Sequence, residues 1–238
     1  MDNKKGFLYL IPTTLGDNDP MEVLPVLVKE VIEKLDYFIV ENEKTARKFI
    51  KRIAPEKSQP SLTLFSLGKY ADQLEVNTYL DICDKGVSVG LLSEAGVPAI
   101  ADPGAEIVKM AHQKNIRVIP LVGPSSIILA MMASGFNGQN FAFNGYLPIE
   151  SSERKDVIKS LEKLSKDKNQ SQIFIETPYR NEKLFVDLRS TLNPATKLCV
   201  ACDITLSTEY IKTLQIKEWK NEHPDLQKRP AIFIIHKE

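Results

Sequence analysis

Short apolar runs alternate with segments of helical periodicity through the first half of the chain, and this alternation strongly constrains the fold. The apolar runs lie at 7–11, 37–40, 62–65, 87–92 and 118–122. Between them, apolar residues recur every three or four positions, which predicts helices near 24–35, 44–53, 76–83 and 104–114. Strands and helices that alternate at this rate predict βαβ units and a mainly parallel sheet, covered on both faces.

The second half repeats this pattern less regularly. Strands are expected at 141–143, 173–175, 198–201 and 231–235, and residues 207–213 could form an antiparallel strand or a hairpin arm. Helix faces are expected around Ile158 and Leu161, and around Leu184 and Leu188. Because Pro and Gly interrupt the chain at 120–124, we predict an N-terminal α/β domain over 1–121 with a mainly parallel sheet. A C-terminal α/β domain with a mixed sheet then covers 122–238.

Charge and cysteine content exclude several classes of protein. Lys plus Arg and Asp plus Glu each number 31, which excludes a strongly basic tail protein and an acidic disordered one, although a local patch can still bind phosphate. Three cysteines are too few for a secreted disulfide framework and favour a reducing compartment. No run approaches the roughly 18 apolar residues of a membrane helix, and the first apolar run is too short for a signal peptide. We therefore expect a soluble cytoplasmic protein.

Glycine and proline are concentrated in the segment 93–104, directly after an apolar strand. Because ligands of open parallel sheets sit outside the carboxyl ends of the strands, this loop is a candidate binding site. The alternative is a rigid connection in which Asp102 is a helix N-cap and Pro103 the first helical residue. The loops 12–17 and 123–126 also follow strands, and the second could cap a helix or hold a carboxylate. Dinucleotide, Walker A and nucleophile-elbow motifs are absent from the sequence.

Residues 118–149 contain no Asp, Glu, Lys or Arg, in a chain that is 26% charged. This segment is interpreted either as a helix buried between layers or as the lining of a crevice where two domains meet.

Metal or triad chemistry is not expected. Cys199 and Cys202 would point to opposite faces of a strand, and the three histidines are scattered. Six basic residues against one acidic residue between 44 and 57 indicate either a solvated helix face or a contact with the phosphate backbone of a nucleic acid.

Ordered motifs connect the chain with a known family. They are Leu92-Ser93-Glu94-Ala95-Gly96-Val97-Pro98 with Asp102-Pro103-Gly104, Pro120 with Gly123-Pro124-Ser125, Gly145-Tyr146-Leu147-Pro148, and Glu176-Thr177-Pro178-Tyr179-Arg180. In these motifs the chain resembles the tetrapyrrole-methylase-like, S-adenosylmethionine-dependent methyltransferases. It is most similar to the ribosomal RNA small-subunit methyltransferase I branch, which methylates a cytidine ribose 2′-hydroxyl.

The chain departs from the pattern of that branch at three places. Its Glu-Asp-Thr-Arg motif falls on Glu41-Asn42-Glu43-Lys44, and its Ala-Arg-Glu-Leu-Thr-Lys motif falls on residues 201–206, with Cys202 and Leu206 in place of the Arg and Lys. A His-Glu-His-like stretch falls on residues 66–70. If the chain differs from that branch in substrate or activity, we expect the difference to originate at these positions.

The resemblance implies two α/β domains, S-adenosylmethionine in the cleft between them, and a homodimer. By matching motif, the residues expected to contact the cofactor are Pro12, Gly96, Val97, Pro98, Ile100, Ser125, Ser126, Tyr146, Leu147, Ala201, Pro230 and Ala231. No metal is implied.

A ribose 2′-hydroxyl is a weak nucleophile, so a nearby base would assist its methylation. The candidates for this base are Glu41, Glu94 and Asp102, and Arg180 is a candidate contact for a phosphate or the substrate. The predicted function is ribose methylation of ribosomal RNA, with ribosomal RNA or the small ribosomal subunit as partner. The alternatives are a methylase of a small molecule such as a tetrapyrrole, and a non-catalytic cofactor-binding module.

Overall fold

The computed structural model describes residues 5–68 and 72–238. Contacts between Cα atoms divide the chain after Ser125 into two compact units, here called unit 1 and unit 2. Each unit contains its own five-stranded sheet and is described by itself. The domain limit at 121–122 stays a prediction.

Unit 1 is built on a parallel sheet, as the alternation of strands and helices predicts. Its strands are β1 (Phe7–Ile11), β2 (Tyr37–Val40), β3 (Thr63–Ser66), β4 (Val89–Leu92) and β5 (Arg117–Pro120). Their order across the sheet is β3-β2-β4-β1-β5, and every neighbouring pair is parallel. The helices are α1 (Pro20–Val23), α2 (Val26–Lys34), α3 (Glu43–Ile53), α4 (Gln73–Val76) and α5 (Ala105–Gln113).

Helices cover both faces of this sheet. Val28 and Ile32 of α2 and Ile50 of α3 belong to one buried cluster, whereas Ile107 and Ala111 of α5 belong to another. The chain leaves β1 towards β2 and leaves β4 in the opposite direction, towards β5. The connections that follow β1 and β4 therefore run to opposite sides, and the carboxyl ends of these two strands are the switch point at which ligands usually bind in such sheets.

One predicted helix of unit 1 is wrong in detail. In place of a continuous helix over 76–83, the short α4 is followed by turns and by a 3-10 helix at Asp81–Lys85. Val76, Leu80 and Cys83 are nonetheless buried. Spacings of three and four residues suit consecutive 3-10 turns as well as an α-helix, so the apolar pattern alone does not distinguish them.

Unit 2 contains a mixed sheet. Its strands are β6 (Phe141–Tyr146), β7 (Ser171–Ile175), β8 (Lys197–Cys202), β9 (Tyr210–Gln215) and β10 (Ala231–His236), in the order β6-β7-β10-β8-β9. Only β6 and β7 pair in parallel among these strands. The helices are α6 (Ser126–Ser134), α7 (Ser151–Lys168) and α8 (Asn181–Thr191). The strand expected at 207–213 is found three residues later, as β9, antiparallel to β8.

The helix within the charge-free segment is buried on one side only. Ala130 and Met131 of α6 are buried against the sheet of unit 2, whereas the side chain of Met132 is 74% exposed. The interpretation as a helix buried between layers is therefore wrong for the outer face of α6. Among the helices of the described ranges, none is both long and apolar enough to span a bilayer.

Candidate functional site

Three loops of unit 1 begin at one edge of its sheet. Leu92 at the end of β4 pairs with Val40 at the end of β2 and with Ile11 at the end of β1. Because all three strands are parallel, Glu41, Ser93 and Pro12 follow them side by side. Most of the motifs singled out in the first half of the sequence therefore meet at this edge.

Three of the four predicted catalytic candidates lie together at this edge. The Asp102 carboxylate accepts a hydrogen bond from the Glu94 backbone N–H at 3.4 Å, and the Thr45 hydroxyl donates to Glu94 Oε1 at 2.7 Å. Burial, reinforced by the charges of Glu41 and Glu94, raises the pKa of Asp102 to about 6, and the hydrogen bond from Glu94 only partly opposes this rise. A carboxyl group with such a pKa can exchange protons near neutral pH, which is typical of functional sites.

Asp102 does not cap the helix that follows it. The N-cap position of α5 is Gly104, and the helix begins at Ala105, whereas the Asp102 side chain is directed to the Glu94 backbone. The N-cap alternative is thus wrong.

Ala99 and Ala101 adopt positive φ angles of 65° and 56°, which cost alanine about 1–2 kcal/mol each. Such conformations persist where the surrounding structure holds them, and they cluster at ligand sites.

Hydrogen bonds connect the loop after β1 with the loop after β4. The carbonyl of Gly96 accepts from the Thr13 backbone N–H at 2.9 Å and also from the Ser93 hydroxyl. Gly96 has a φ of 75°, and a Cβ atom there would lie 3.0 Å from Leu15 Cδ2 and 3.1 Å from the Pro124 carbonyl oxygen. The backbone at Gly96 is therefore closely surrounded within unit 1.

The residues of unit 1 predicted to contact the cofactor differ in accessibility. Pro12, Gly96 and Pro98 are buried, Val97 and Ser125 are half-buried, and Ile100 is exposed. Their assignment to the cofactor stays a prediction.

Asn42, which stands where the family's Glu-Asp-Thr-Arg motif has Asp, caps a helix. Asn42 is the N-cap of α3, and its side-chain oxygen accepts from the backbone N–H groups of Lys44 and Thr45 at 2.9 and 3.3 Å. Asn and Asp are about equally good N-caps, so Asn42 retains the capping function that Asp would have. Of the stretch 66–70, Lys69 and Tyr70 lie outside the described residues.

The basic residues of 44–57 divide into two groups. Arg47 and Lys51 donate to the backbone carbonyls of Gln59 and Pro55, and Lys57 is paired with Asp36 at 2.8 Å. Lys48 and Arg52 instead line a cavity of about 390 Å³ in unit 1.

The residues of unit 2 predicted to contact the cofactor lie on several elements and differ in burial. Ala201 of β8 and Ala231 of β10 are buried in adjacent strands, and the exposed Pro230 accepts the Asp203 backbone N–H at 3.1 Å. Leu147 packs into the core, whereas Tyr146 is 58% exposed. Ser126, the first residue of α6, is half-buried.

Arg180, the fourth catalytic candidate, is held by a buried acid of unit 2. Glu176 accepts from Arg180 Nη2 at 2.7 Å and from the Thr177 backbone N–H at 2.6 Å. The Nε atom of Arg180 is buried and makes no hydrogen bond within the described parts of the chain. The Arg180 side chain as a whole is 32% exposed, so it can still contact a ligand.

The motif at 201–206 has Cys202 in place of the family's Arg, and Arg229 from another segment contacts this motif. Cys202 is buried in the core of unit 2, and Arg229 from the segment before β10 donates to Asp203 at 2.7 Å. Leu206 is half-buried in the turn that follows.

Burial raises the pKa of both the Cys199 and the Cys202 thiol to about 11. In the two described ranges, no group of three or more His, Cys, Asp or Glu side chains could hold a metal ion.

Curated sequences similar to this chain share one name. The chain is 28% identical to the ribosomal RNA small subunit methyltransferase I of Vibrio cholerae over 237 residues, which cover 98% of this chain and 78% of that protein. It is 30% identical to the protein of the same name from Buchnera aphidicola subsp. Schizaphis graminum, with coverage of 98% and 79%. The chain belongs to the ribosomal RNA small subunit methyltransferase I family. The predicted family is thereby confirmed, and with it the prediction that the chain is a methyltransferase.

Solved structures similar to this chain confirm the fold. The methyltransferase CobJ superposes with a TM-score of 0.64 at 14% identity, covering 98% of this chain and 94% of its own. The cobalamin biosynthetic enzyme cobalt precorrin-4 methyltransferase superposes with a TM-score of 0.59 at 16% identity, with coverage of 96% and 94%. The fold is therefore that of the tetrapyrrole methylases, as predicted. No protein-family model matches the chain.

Proposed function

We propose that this chain transfers a methyl group from S-adenosylmethionine to a ribose 2′-hydroxyl of small-subunit ribosomal RNA. The observation that carries the proposal is the carboxylate cluster of Glu41, Glu94 and Asp102, at the edge of the sheet where ligands bind, in a member of this methyltransferase family.

The residues assigned to the cofactor suit its chemistry. Adenosine offers an apolar ring and polar edges, and unit 2 has the exposed aromatic side chain of Tyr146 to contact the ring. The α-carboxylate of the amino-acid part needs hydrogen-bond donors, which the backbone at the start of α6 provides near Ser125 and Ser126. When bound, S-adenosylmethionine supplies the electrophilic methyl group.

Asp102 is the proposed proton acceptor. Methyl transfer is an in-line displacement whose rate depends largely on positioning, and loss of the hydroxyl proton must accompany attack. A base is most effective when its pKa lies near the working pH, and burial raises the pKa of Asp102 to about 6. Glu94 supports Asp102 through its backbone N–H, and Thr45 fixes the Glu94 side chain.

Arg180 is the proposed contact for a phosphate oxygen of the RNA. Glu176 holds the guanidinium through Nη2, and the Arg180 side chain remains 32% exposed, so it can contact such an oxygen. An arginine fixed in this way loses little side-chain entropy when it binds a phosphate.

A small-molecule substrate has less support. The tetrapyrrole enzymes share the fold at only 14% and 16% identity, and one fold carries many functions. Both named sequence relatives are ribosomal RNA methyltransferases over nearly the whole chain.

We further propose a cytoplasmic homodimer. Twofold dimers are the commonest soluble oligomers, and the family resemblance implies one. The exposed apolar side chains of Met132 and Ile149 in the charge-free segment are of the kind that dimerisation would cover.

Calorimetry with S-adenosylmethionine and S-adenosylhomocysteine tests the cofactor, and transfer of labelled methyl groups into purified ribosomal subunits tests the substrate. We expect binding of both compounds, and label in small subunits taken from a strain that lacks the enzyme. Large subunits from the same strain and small subunits from the parent strain are the controls and should remain unlabelled. Absence of heat and of a thermal shift with either compound would refute the cofactor assignment.

A further inference from the structure

The cavity of about 390 Å³ in unit 1 is built from three elements at the switch point of the sheet. Its lining residues are Thr13–Asp17 from the loop after β1, Leu92–Ala95 from the end of β4 and the loop that follows, and Thr45, Ala46, Lys48, Phe49 and Arg52 from α3. Its volume lies in the range of small-molecule sites, and Glu94 connects it to the carboxylate cluster.

The cavity has the chemical groups that a nucleotide requires. Phe49 offers a half-buried aromatic side chain, and Thr13, Thr45 and Ser93 offer hydroxyl groups. The buried hydroxyls of Thr13 and Ser93 lie 3.3 Å apart, and Ser93 donates to the Gly96 carbonyl, so what this pair can offer a ligand is a remaining acceptor lone pair. Aromatic and hydroxyl groups of this kind bind the bases and sugars of single-stranded nucleic acids.

Two cations in the cavity share one weakly held counterion. Arg52 Nη1 donates to Asp17 Oδ1 at 2.6 Å, and Lys48 Nζ lies 4.0 Å from the same oxygen. The Asp17 side chain is 83% exposed, so solvent screens the pair and its net stabilisation is small. A phosphate carries the same charge as this carboxylate and has more acceptor oxygens, so it can replace Asp17.

We propose that this cavity binds one nucleotide of the RNA next to the methylated one, with its phosphate on Lys48 and Arg52 in place of Asp17. Arg47 and Lys51 of α3 do not take part, because they do not line the cavity and are engaged with the backbone carbonyls of Gln59 and Pro55. This inference rests on the proposed function, since it gives the substrate of that site a second point of attachment.

Binding of a fluorescent single-stranded oligoribonucleotide, without cofactor and over a range of salt concentrations, tests the proposal. The variant Lys48→Ala with Arg52→Ala should bind about tenfold more weakly, and the slope of log affinity against log salt should fall by about 0.7. Asp17→Asn should bind about threefold more tightly at low salt, because it removes the competing carboxylate. The double variant Arg47→Ala with Lys51→Ala changes the same charge on the same helix and should bind RNA like the wild type.

The opposite effects of the two cavity variants distinguish RNA binding from a structural role. If Asp17 served only to stabilise the fold, Asp17→Asn would lower the thermal midpoint and leave RNA affinity unchanged, which would overturn the proposal. Equal losses in the Lys48/Arg52 and Arg47/Lys51 variants would overturn it as well. Methyl transfer by the wild type is measured separately, so a failure of the proposed function leaves the binding result interpretable.

Discussion

Asp102 illustrates how one buried carboxyl group connects stability with pH. Its pKa is raised from 3.8 to about 6 in the folded protein, so the folded state holds a proton that the unfolded state has already lost. Stability must then fall as pH rises from about 4 to about 6, by the linkage between protons bound and free energy. Above this window the ionised carboxylate continues to destabilise the fold.

Asp102→Asn should therefore be more stable than the wild type at pH 7, and the difference should shrink as the pH is lowered towards 4. Urea denaturation of both proteins at a series of pH values measures it. Because Asn does not titrate, the pH dependence of the difference isolates the carboxyl group. A difference that is constant with pH would show that Asp102 does not have the raised pKa.

Gly96 illustrates a constraint of backbone conformation. Gly96→Ala should lower the free energy of unfolding by about 1–2 kcal/mol, because alanine is strained at a φ of 75° and its Cβ would press on Leu15 and the Pro124 carbonyl. Gly138→Ala is the matched control, since no atom lies within 4 Å of the added Cβ and φ is not in the left-handed region. Denaturant unfolding of both variants measures the effect, and equal stabilities would contradict this account.

A buried ion pair joins α7 to α8. Arg154 of α7 and Asp187 of α8 form an ion pair with side chains only 2% and 8% exposed. Arg154 Nη1 also donates to the carbonyls of Pro148 and Ile149, at 2.9 and 2.7 Å. This one side chain thereby joins two helices to the end of the Gly-Tyr-Leu-Pro motif.

Asp187→Asn should destabilise the protein by about 3–5 kcal/mol, because it leaves the Arg154 guanidinium buried without its counterion. Asp167→Asn makes the same change in the exposed Lys163–Asp167 pair of α7 and should alter stability far less. Thermal and chemical unfolding of the two variants provide the comparison. Similar losses of stability in the two variants would mean that the burial of the Arg154–Asp187 pair does not determine its contribution to stability.

The elements differ in how far the sequence could predict them. β1, β2 and β10 begin and end within a residue of expectation, because buried parallel or central strands are continuous apolar runs. The segment 76–83 was predicted less well, since its spacing suits two kinds of helical turn. Arg154 lies four residues before Ile158 on the buried stripe of α7, but arginine is rarely fully buried, so its residue type alone does not predict this position.

The candidate site shows a similar limit. The sequence identifies Glu41, Glu94 and Asp102 as candidates. Glu94 and Asp102 share the loop after β4, but Glu41 follows β2, and only the pairing of β2 with β4 brings it to them. Thr45 and Asp17 were not predicted as parts of the site, because their roles depend on partners 49 and 35 residues away.

At the scale of the whole molecule, the proposed homodimer predicts a mass. Light scattering should give twice the 26.8 kDa of one chain, with or without S-adenosylmethionine. A dimer would double the number of RNA-binding cavities presented to one ribosomal particle. A monomer at micromolar concentration would contradict the dimer and would weaken the case for a large RNA substrate over a small molecule.

The central claim is that this chain methylates a ribose hydroxyl of small-subunit RNA, with Asp102 as the base. Its most direct test is nucleoside analysis of RNA from small subunits of a deletion strain, treated with the wild type or with Asp102→Asn in the presence of S-adenosylmethionine. We expect a 2′-O-methylated nucleoside with the wild type, formed at least about 100-fold more slowly by the variant, as is typical for loss of a general base. A methyl group on a nucleobase instead of the ribose, or equal rates of methylation by the two proteins, would contradict the account.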